Sequence, residues 1–102
     1  MEFQELQDKV FKNAIAYGKK YNILIDEAFA LIKLYEEMGE LSQAVLIHRK
    51  KSRPEKHKAK EASKEDLAQE LADVLGMTIV NAKLLGIDLE DVLNRKWINR
   101  EK

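Results

Sequence analysis

The chain has 102 residues, of which 45% are hydrophobic and 35% are charged, with equal numbers of acidic and basic side chains. These values predict one helix-rich globular domain, residues 1–102, and they exclude a disordered or fibrous protein. The absence of cysteine excludes disulfides, thiolate metal sites and a cysteine nucleophile, and it favours a cytoplasmic location. We find no secretory leader pattern and no apolar run of membrane-spanning length, so we expect no membrane partner.

The charge is unevenly distributed along the chain. Residues 48–64 contain eight Lys or Arg and two Glu, which leaves a net charge of −6 on the remaining sequence. Arg53-Pro54 breaks helical periodicity here, so the segment is expected to be an exposed basic loop. It is a plain linker, a flap that attracts phosphates or a surface for nonspecific nucleic-acid contact, although overall we expect no nucleic-acid partner. His48 and His57 are expected to be surface residues.

The first two predicted helices cover residues 3–20 and 27–49. The first is indicated by apolar residues at helical spacing and is expected to end near Gly18. Asp26 precedes the second apolar run and is therefore the expected N-cap of the second helix. The apolar residues that indicate the first helix are Phe3, Leu6, Val10, Ala14 and Tyr17.

The third helix is expected to run from about Lys64 to Leu85, and the fourth, capped by Asp88, is expected to contain the stretch LEDVLNRKWINREK. The apolar side of the fourth helix is expected to consist of Val92, Leu93 and Trp97. Ser63 has an acidic residue three positions later, which resembles a capping box, and Gly86 is a typical helix terminator. The sequence from residue 71 to 85 is hydrophobic on nearly every side, so this helix must be covered all round. We therefore predict an all-α fold similar to a four-helix bundle, completed by a homodimer or a dimer of dimers.

Two pairs of acidic residues stand within or beside the apolar faces of the second and third helices. Glu37 and Glu40 lie one turn apart on the second helix, with Glu36 beside them. Glu70 and Asp73 repeat this spacing on the third helix. Like charges one turn apart repel each other, and they repel more strongly when desolvated. Glutamates on helices are usually exposed to solvent. Two acidic pairs that both face other parts of the protein instead favour a shared function.

Four carboxylates from two helices form a site for a hard divalent cation. Mg²⁺ and Mn²⁺ prefer oxygen ligands of this kind. We therefore predict a Mg²⁺ or Mn²⁺ site whose ligands are Glu37, Glu40, Glu70 and Asp73.

These motifs resemble a known family. Glu36-Glu37-x-x-Glu40 followed by Glu70-x-x-Asp73 is similar to the EExxE…ExxD signature of the MazG-like all-α nucleotide pyrophosphohydrolases, over roughly residues 26 to 100. The resemblance implies metal-dependent hydrolysis of a nucleoside triphosphate, canonical or modified, to the monophosphate and pyrophosphate. It implies that Glu36, Glu37 and Glu40 are catalytic, and that Glu36 or one of the four metal-ligand acids would orient the attacking water.

The resemblance also implies phosphate-binding residues on the last helix, where the family often carries a Lys and an Asn-Arg. Arg95 or Lys96, followed by Asn99 and Arg100, match this pattern, with the Lys role open between the first two. The polar side of this helix is otherwise explained as a solvated face.

Of three alternatives, the sequence argues against the first two and leaves the third open. A phosphoribosyl-ATP pyrophosphohydrolase typically has Tyr-His after the ExxAD segment, where this chain has Val74-Leu75-Gly76-Met77-Thr78. A di-iron bundle normally adds a His three residues after a Glu, and neither acid pair has one. A non-enzymatic helical dimerisation module that binds a nucleotide or a metal is the third alternative.

Overall fold

A computed structural model describes residues 1–100, and within this range it contains four α-helices and no strand. The predicted all-α fold is therefore confirmed. None of these helices has the length and apolar character needed to cross a bilayer. The helices are α1 Phe3–Tyr21, α2 Glu27–His48, α3 Lys60–Leu84 and α4 Leu89–Leu93, with a 3₁₀ turn at Pro54–Lys56 and a π-helical turn at Asn94–Ile98.

Three helix ends are defined by the residues that the sequence predicts for them, namely Asp26, Asp88 and Gly86. The Phe29 N–H donates to Asp26 Oδ1 at 2.9 Å, and the Asp91 N–H donates to Asp88 Oδ1 at 3.1 Å. Each carboxylate thus satisfies one of the free N–H groups in a first helical turn. Gly86 follows α3 with φ +69°, a left-handed conformation that glycine adopts without steric cost.

The structure extends α1 by one residue beyond the predicted range of 3–20. This helix continues past Gly18 to Tyr21, and the chain then turns at Asn22, which has φ 55°. Gly18 is buried, and a Cβ there would lie 2.6 Å from both Ile23 O and Ile25 Cγ1. The glycine is required because the following segment packs directly against the helix.

The predicted start of α3 is also wrong, by about one turn. The helix begins at Lys60, and Ser63 lies inside its first turn and is not the N-cap. The Ser63 hydroxyl donates to Lys60 O at 3.0 Å and makes a 2.8 Å hydrogen bond with His48 Nδ1. His48 is therefore half-buried, against our expectation, whereas His57 is exposed.

The fold divides into two compact units, residues 31–77 and a terminal unit formed by residues 1–30 with 78–100. The single-domain assignment stays a prediction. In the terminal unit, Ala30, Ile79, Val80 and Ala82 form a buried apolar core. The Asn81 side-chain amide donates to Ala30 O at 2.9 Å and links the start of α2 to the end of α3.

The 31–77 unit has very little apolar core of its own. Ala44 is its one buried apolar residue among those described. On α3, Leu71 is 54% exposed and Leu75 is 51% exposed. The complete cover expected for α3 is thus found around Ile79 and Val80 but not around these two leucines. Exposed apolar residues on α2 within this unit are Leu31, Ile32, Tyr35, Met38 and Leu46.

The last helix is shorter and less regular than expected. The Asn99 N–H donates to Asn94 O at 2.7 Å, which closes a π-helical turn after α4. Val92 is half-buried, as predicted for the apolar side. Trp97, predicted for the same side, is 76% exposed.

Candidate metal centre

Helices α2 and α3 bring the two acidic pairs together in the 31–77 unit. Each of Glu37, Glu40, Glu70 and Asp73 contributes one carboxylate oxygen, and these four oxygens all lie within 4.8 Å of one another. Residues one turn apart on a helix share a face, and so two such pairs on neighbouring helices produce a four-acid cluster. We call these four residues the acidic cluster. Their assignment as metal ligands stays a prediction.

Burial within the acidic cluster is uneven. Glu37 is 8% exposed and Glu70 is half-buried, whereas Glu40 and Asp73 are exposed. The Oε2 atoms of Glu37 and Glu70 are buried and have no hydrogen-bond partner in the protein. A buried carboxylate oxygen without a donor is costly, because it has lost its hydration and gained nothing in return. Both orphaned oxygens would be satisfied by a cation.

The surroundings raise the pKa of two of the acids. Burial, together with repulsion from Glu40 and Asp73, raises the pKa of Glu37 from 4.5 to about 7, while Lys33 opposes this shift. Desolvation likewise raises the pKa of Glu70, again with repulsion from Glu40 and Asp73. The fold therefore holds acids together under conditions in which their charges are unfavourable.

The dimensions of the acidic cluster suit a small oxygen-coordinated cation. Mg²⁺–oxygen distances of 2.0–2.1 Å place ligands on opposite sides of the ion about 4.2 Å apart. The oxygens of the cluster already lie within 4.8 Å of one another. Small side-chain rotations that move the oxygens by a few tenths of an ångström would bring them to Mg²⁺-coordination distances. Glu40 and Asp73 are exposed and are free to rotate in this way.

Glu36, the remaining predicted catalytic acid, does not join the acidic cluster. Its exposed carboxylate forms an ion pair with Lys33, whose Nζ also lies 3.9 Å from Glu37 Oε1. Lys33 thus places a positive charge beside the cluster, which partly offsets its repulsion. Glu36 is thus connected to the acidic cluster through their shared neighbour Lys33. Its catalytic role stays a prediction.

The predicted phosphate-binding residues lie in the terminal unit. Arg95, Lys96, Asn99 and Arg100 are all exposed. Arg95 Nε forms a 3.0 Å ion pair with Asp91, and the Asn99 side-chain amide donates to Asn94 Oδ1 at 2.8 Å. Their role in substrate binding stays a prediction.

A cavity of about 370 Å³ adjoins the acidic cluster within the 31–77 unit. Its walls include Glu40 and Glu70 from the cluster, the side-chain amides of Gln43 and Gln69, and Lys58 from the basic loop. This volume lies in the range of small-molecule sites. Sequence reasoning named neither glutamine, although each lies one helical turn or less from an acid of the cluster. It also gave no reason to separate Lys58 from the other lysines of the loop.

Comparison with known proteins agrees with this geometry. The family model for the MazG nucleotide pyrophosphohydrolase domain matches residues 27–102. The chain belongs to this family. The matched region contains both acidic pairs, and the resemblance found in the motifs is confirmed. Members of the MazG family are nucleotide pyrophosphohydrolases and generally depend on a divalent metal.

One curated relative of this MazG chain is an uncharacterised protein of Bacillus subtilis (strain 168), YvdC. The two are 39% identical over 62 residues, which cover 59% of this chain and 58% of that protein. The alignment thus spans well under two thirds of the relative. No solved structure shows a significant match.

Proposed function

We propose that this MazG-family protein is a metal-dependent nucleoside triphosphate pyrophosphohydrolase. Its substrate would be a ribo- or deoxyribonucleoside triphosphate, canonical or modified, and its products the monophosphate and pyrophosphate. The observation that carries the proposal is the acidic cluster, with four carboxylate oxygens within 4.8 Å and two of its acids holding orphaned buried oxygens. Four carboxylates held this close together repel one another, and a bound cation would remove that repulsion.

The residues of the acidic cluster would hold Mg²⁺ or Mn²⁺. When bound, such an ion neutralises phosphate charge and lowers the pKa of a coordinated water. Water oxygen attacks the α-phosphorus, the bond from that phosphorus to the α–β bridging oxygen breaks, and pyrophosphate leaves with the bridging oxygen and its electron pair. A proton of the attacking water passes to a carboxylate. Glu36 or an acid of the cluster accepts it, and substitution of Glu36 separates the two cases.

Binding of the substrate needs positive charge as well as the acids. Arg95 or Lys96, with Asn99 and Arg100, supply such groups in our proposal, since guanidinium and ammonium groups form strong hydrogen bonds to phosphate. All four side chains are exposed and thus available to a ligand.

We also propose that the protein forms a homodimer or a dimer of dimers. The 31–77 unit buries Ala44 as its one apolar residue among those described, while seven larger apolar side chains on α2 and α3 remain exposed. A second copy of the chain offers the same surface, and a two-fold axis lets each copy cover the other. Covering these side chains would supply the apolar burial that the unit lacks.

The deciding experiment measures pyrophosphate release from a panel of canonical and modified nucleoside triphosphates, with Mg²⁺ and with chelator. We expect release that requires the metal, and loss of release in Glu37→Gln and Asp73→Asn. Glu55→Gln is a matched control, because Glu55 is an exposed loop acid paired with Arg53. If no nucleotide is hydrolysed, the proposed activity is wrong and the alternative of a non-enzymatic module is favoured.

A further inference from the structure

We infer that Lys58 binds the β- and γ-phosphates of the substrate, the group that leaves as pyrophosphate. This inference rests on the proposed function and adds a residue outside the acidic cluster and outside the last helix. It assigns a role to one position of the basic loop, which the sequence left open between a linker and a phosphate-attracting flap.

The position of Lys58 is the first reason. The basic loop and its flanks carry eight Lys or Arg between residues 48 and 64. Lys58 is the one basic side chain among the described residues that line the cavity beside the acidic cluster. The same cavity is bounded by Glu40 and Glu70 of the cluster and by Asp66. A triphosphate whose α-phosphate lies at the cluster therefore meets a positive charge within the same cavity.

The contacts of Lys58 are the second reason. Its Nζ forms a 2.6 Å ion pair with Asp66 Oδ2, and both side chains are about half exposed. An exposed pair of this kind contributes little stability, because water screens it and two flexible side chains must be held in place. Lys58 is thus held at the cavity wall by a partner that it can exchange for a phosphate oxygen at small cost.

The charge of the leaving group is the third reason. Breaking the bond between the α-phosphorus and the bridging oxygen places negative charge on the departing pyrophosphate. An ammonium group next to these oxygens stabilises that charge by a charge-assisted hydrogen bond. In the free protein, Asp66 neutralises Lys58. When the polyphosphate enters, Lys58 donates to it.

The test is binding of inorganic pyrophosphate in the presence of Mg²⁺, measured by calorimetry, together with KM and kcat for the best nucleotide of the panel. We expect Lys58→Gln to weaken pyrophosphate binding about tenfold or more. Lys58→Arg should retain most of the binding. Lys56→Gln is the matched control, because Lys56 belongs to the same loop but does not line the cavity.

Asp66→Asn separates ligand binding from a purely structural role. If Lys58 binds phosphate, removing its competing partner strengthens pyrophosphate binding, whereas a pair that only fixes the loop would make both variants bind more weakly. Normal binding by Lys58→Gln, equal losses in Lys58→Gln and Lys56→Gln, or no binding by the wild type would each overturn the inference. Lys58-dependent pyrophosphate binding without hydrolysis of any nucleotide would support it and refute the proposed function.

Discussion

Replacing Glu37 with glutamine should stabilise the metal-free protein. The side chain is 8% exposed, and folding raises its pKa from 4.5 to about 7, first by desolvation and then by repulsion from Glu40 and Asp73. One pKa unit corresponds to about 1.4 kcal/mol, so the charged carboxylate lowers the free energy of unfolding by about 3 kcal/mol above neutral pH. Glutamine keeps the size of the side chain and removes the charge.

The size of the stabilisation depends on pH. Below pH 4.5, Glu37 is protonated in both the folded and the unfolded chain, and glutamine then has little effect. Between pH 4.5 and about 7, the unfolded chain loses this proton first, so the wild type loses stability as pH rises. The difference in the free energy of unfolding between Glu37→Gln and the wild type should therefore grow from pH 4.5 to about 7 and stay constant at higher pH.

Urea unfolding followed by circular dichroism, with chelator present, measures this difference at the two ends of the pH window. The dependence of the free energy of unfolding on urea concentration should be the same for both proteins, because both expose the same surface area on unfolding. Glu55→Gln, at an exposed acid, should change stability by less than about 0.5 kcal/mol. Equal stability of Glu37→Gln and wild type at both pH values, or a less stable variant above neutral pH, would refute the account of a desolvated, repelled carboxylate.

Four further predictions test other parts of the structure. Mg²⁺ should raise the melting temperature of the wild type, and more so at higher concentration, because the ion binds the acidic cluster only in the folded state. It should not raise the melting temperature of Glu37→Gln, which lacks one ligand. A calorimetric melting temperature of the wild type that does not change with Mg²⁺ would count against the site. Glu36→Gln should keep this Mg²⁺ stabilisation while any loss appears in kcat, since its carboxylate pairs with Lys33 outside the acidic cluster; loss of Mg²⁺ stabilisation would place it among the ligands. Light scattering should find a dimer or tetramer that Leu75→Glu shifts towards monomer, and a monomeric wild type would refute self-association. Lys50→Gly should stabilise the chain by roughly 0.5–1 kcal/mol in urea unfolding, because Lys50 has φ 55°.

Local sequence determines the features that were predicted correctly. Asp26 and Asp88 accept hydrogen bonds from N–H groups three residues later, and Gly86 relieves a left-handed turn. Each of these effects involves only neighbouring residues, so a short stretch of sequence contains the whole cause. The spacing of the two acidic pairs is local in the same sense, because it fixes the face of each helix.

Contacts between distant residues explain what the sequence did not reveal. Ser63 is a typical N-cap residue, but it lies inside α3 and forms a hydrogen bond with His48, fifteen positions earlier. Gly18 resembled a helix end, yet its role depends on Ile25, which folds back against it. Lys58 is one lysine among many until the cavity is known. None of these relations leaves a periodic trace in the sequence.

The hydrogen bond between His48 and Ser63 lies where the basic loop leaves α2 and rejoins α3. This hydrogen bond joins the two ends of the loop, which consists of residues 49–59. The length of the loop therefore does not determine how α2 packs against α3 at this point. Lengthening such a loop is inexpensive, since each doubling costs only about 0.6 kcal/mol in closure entropy. The number of residues between the two acidic pairs can therefore vary without moving the acids. A change in the length of this loop would alter the position of Lys58 at the cavity but not the positions of the four acids of the acidic cluster.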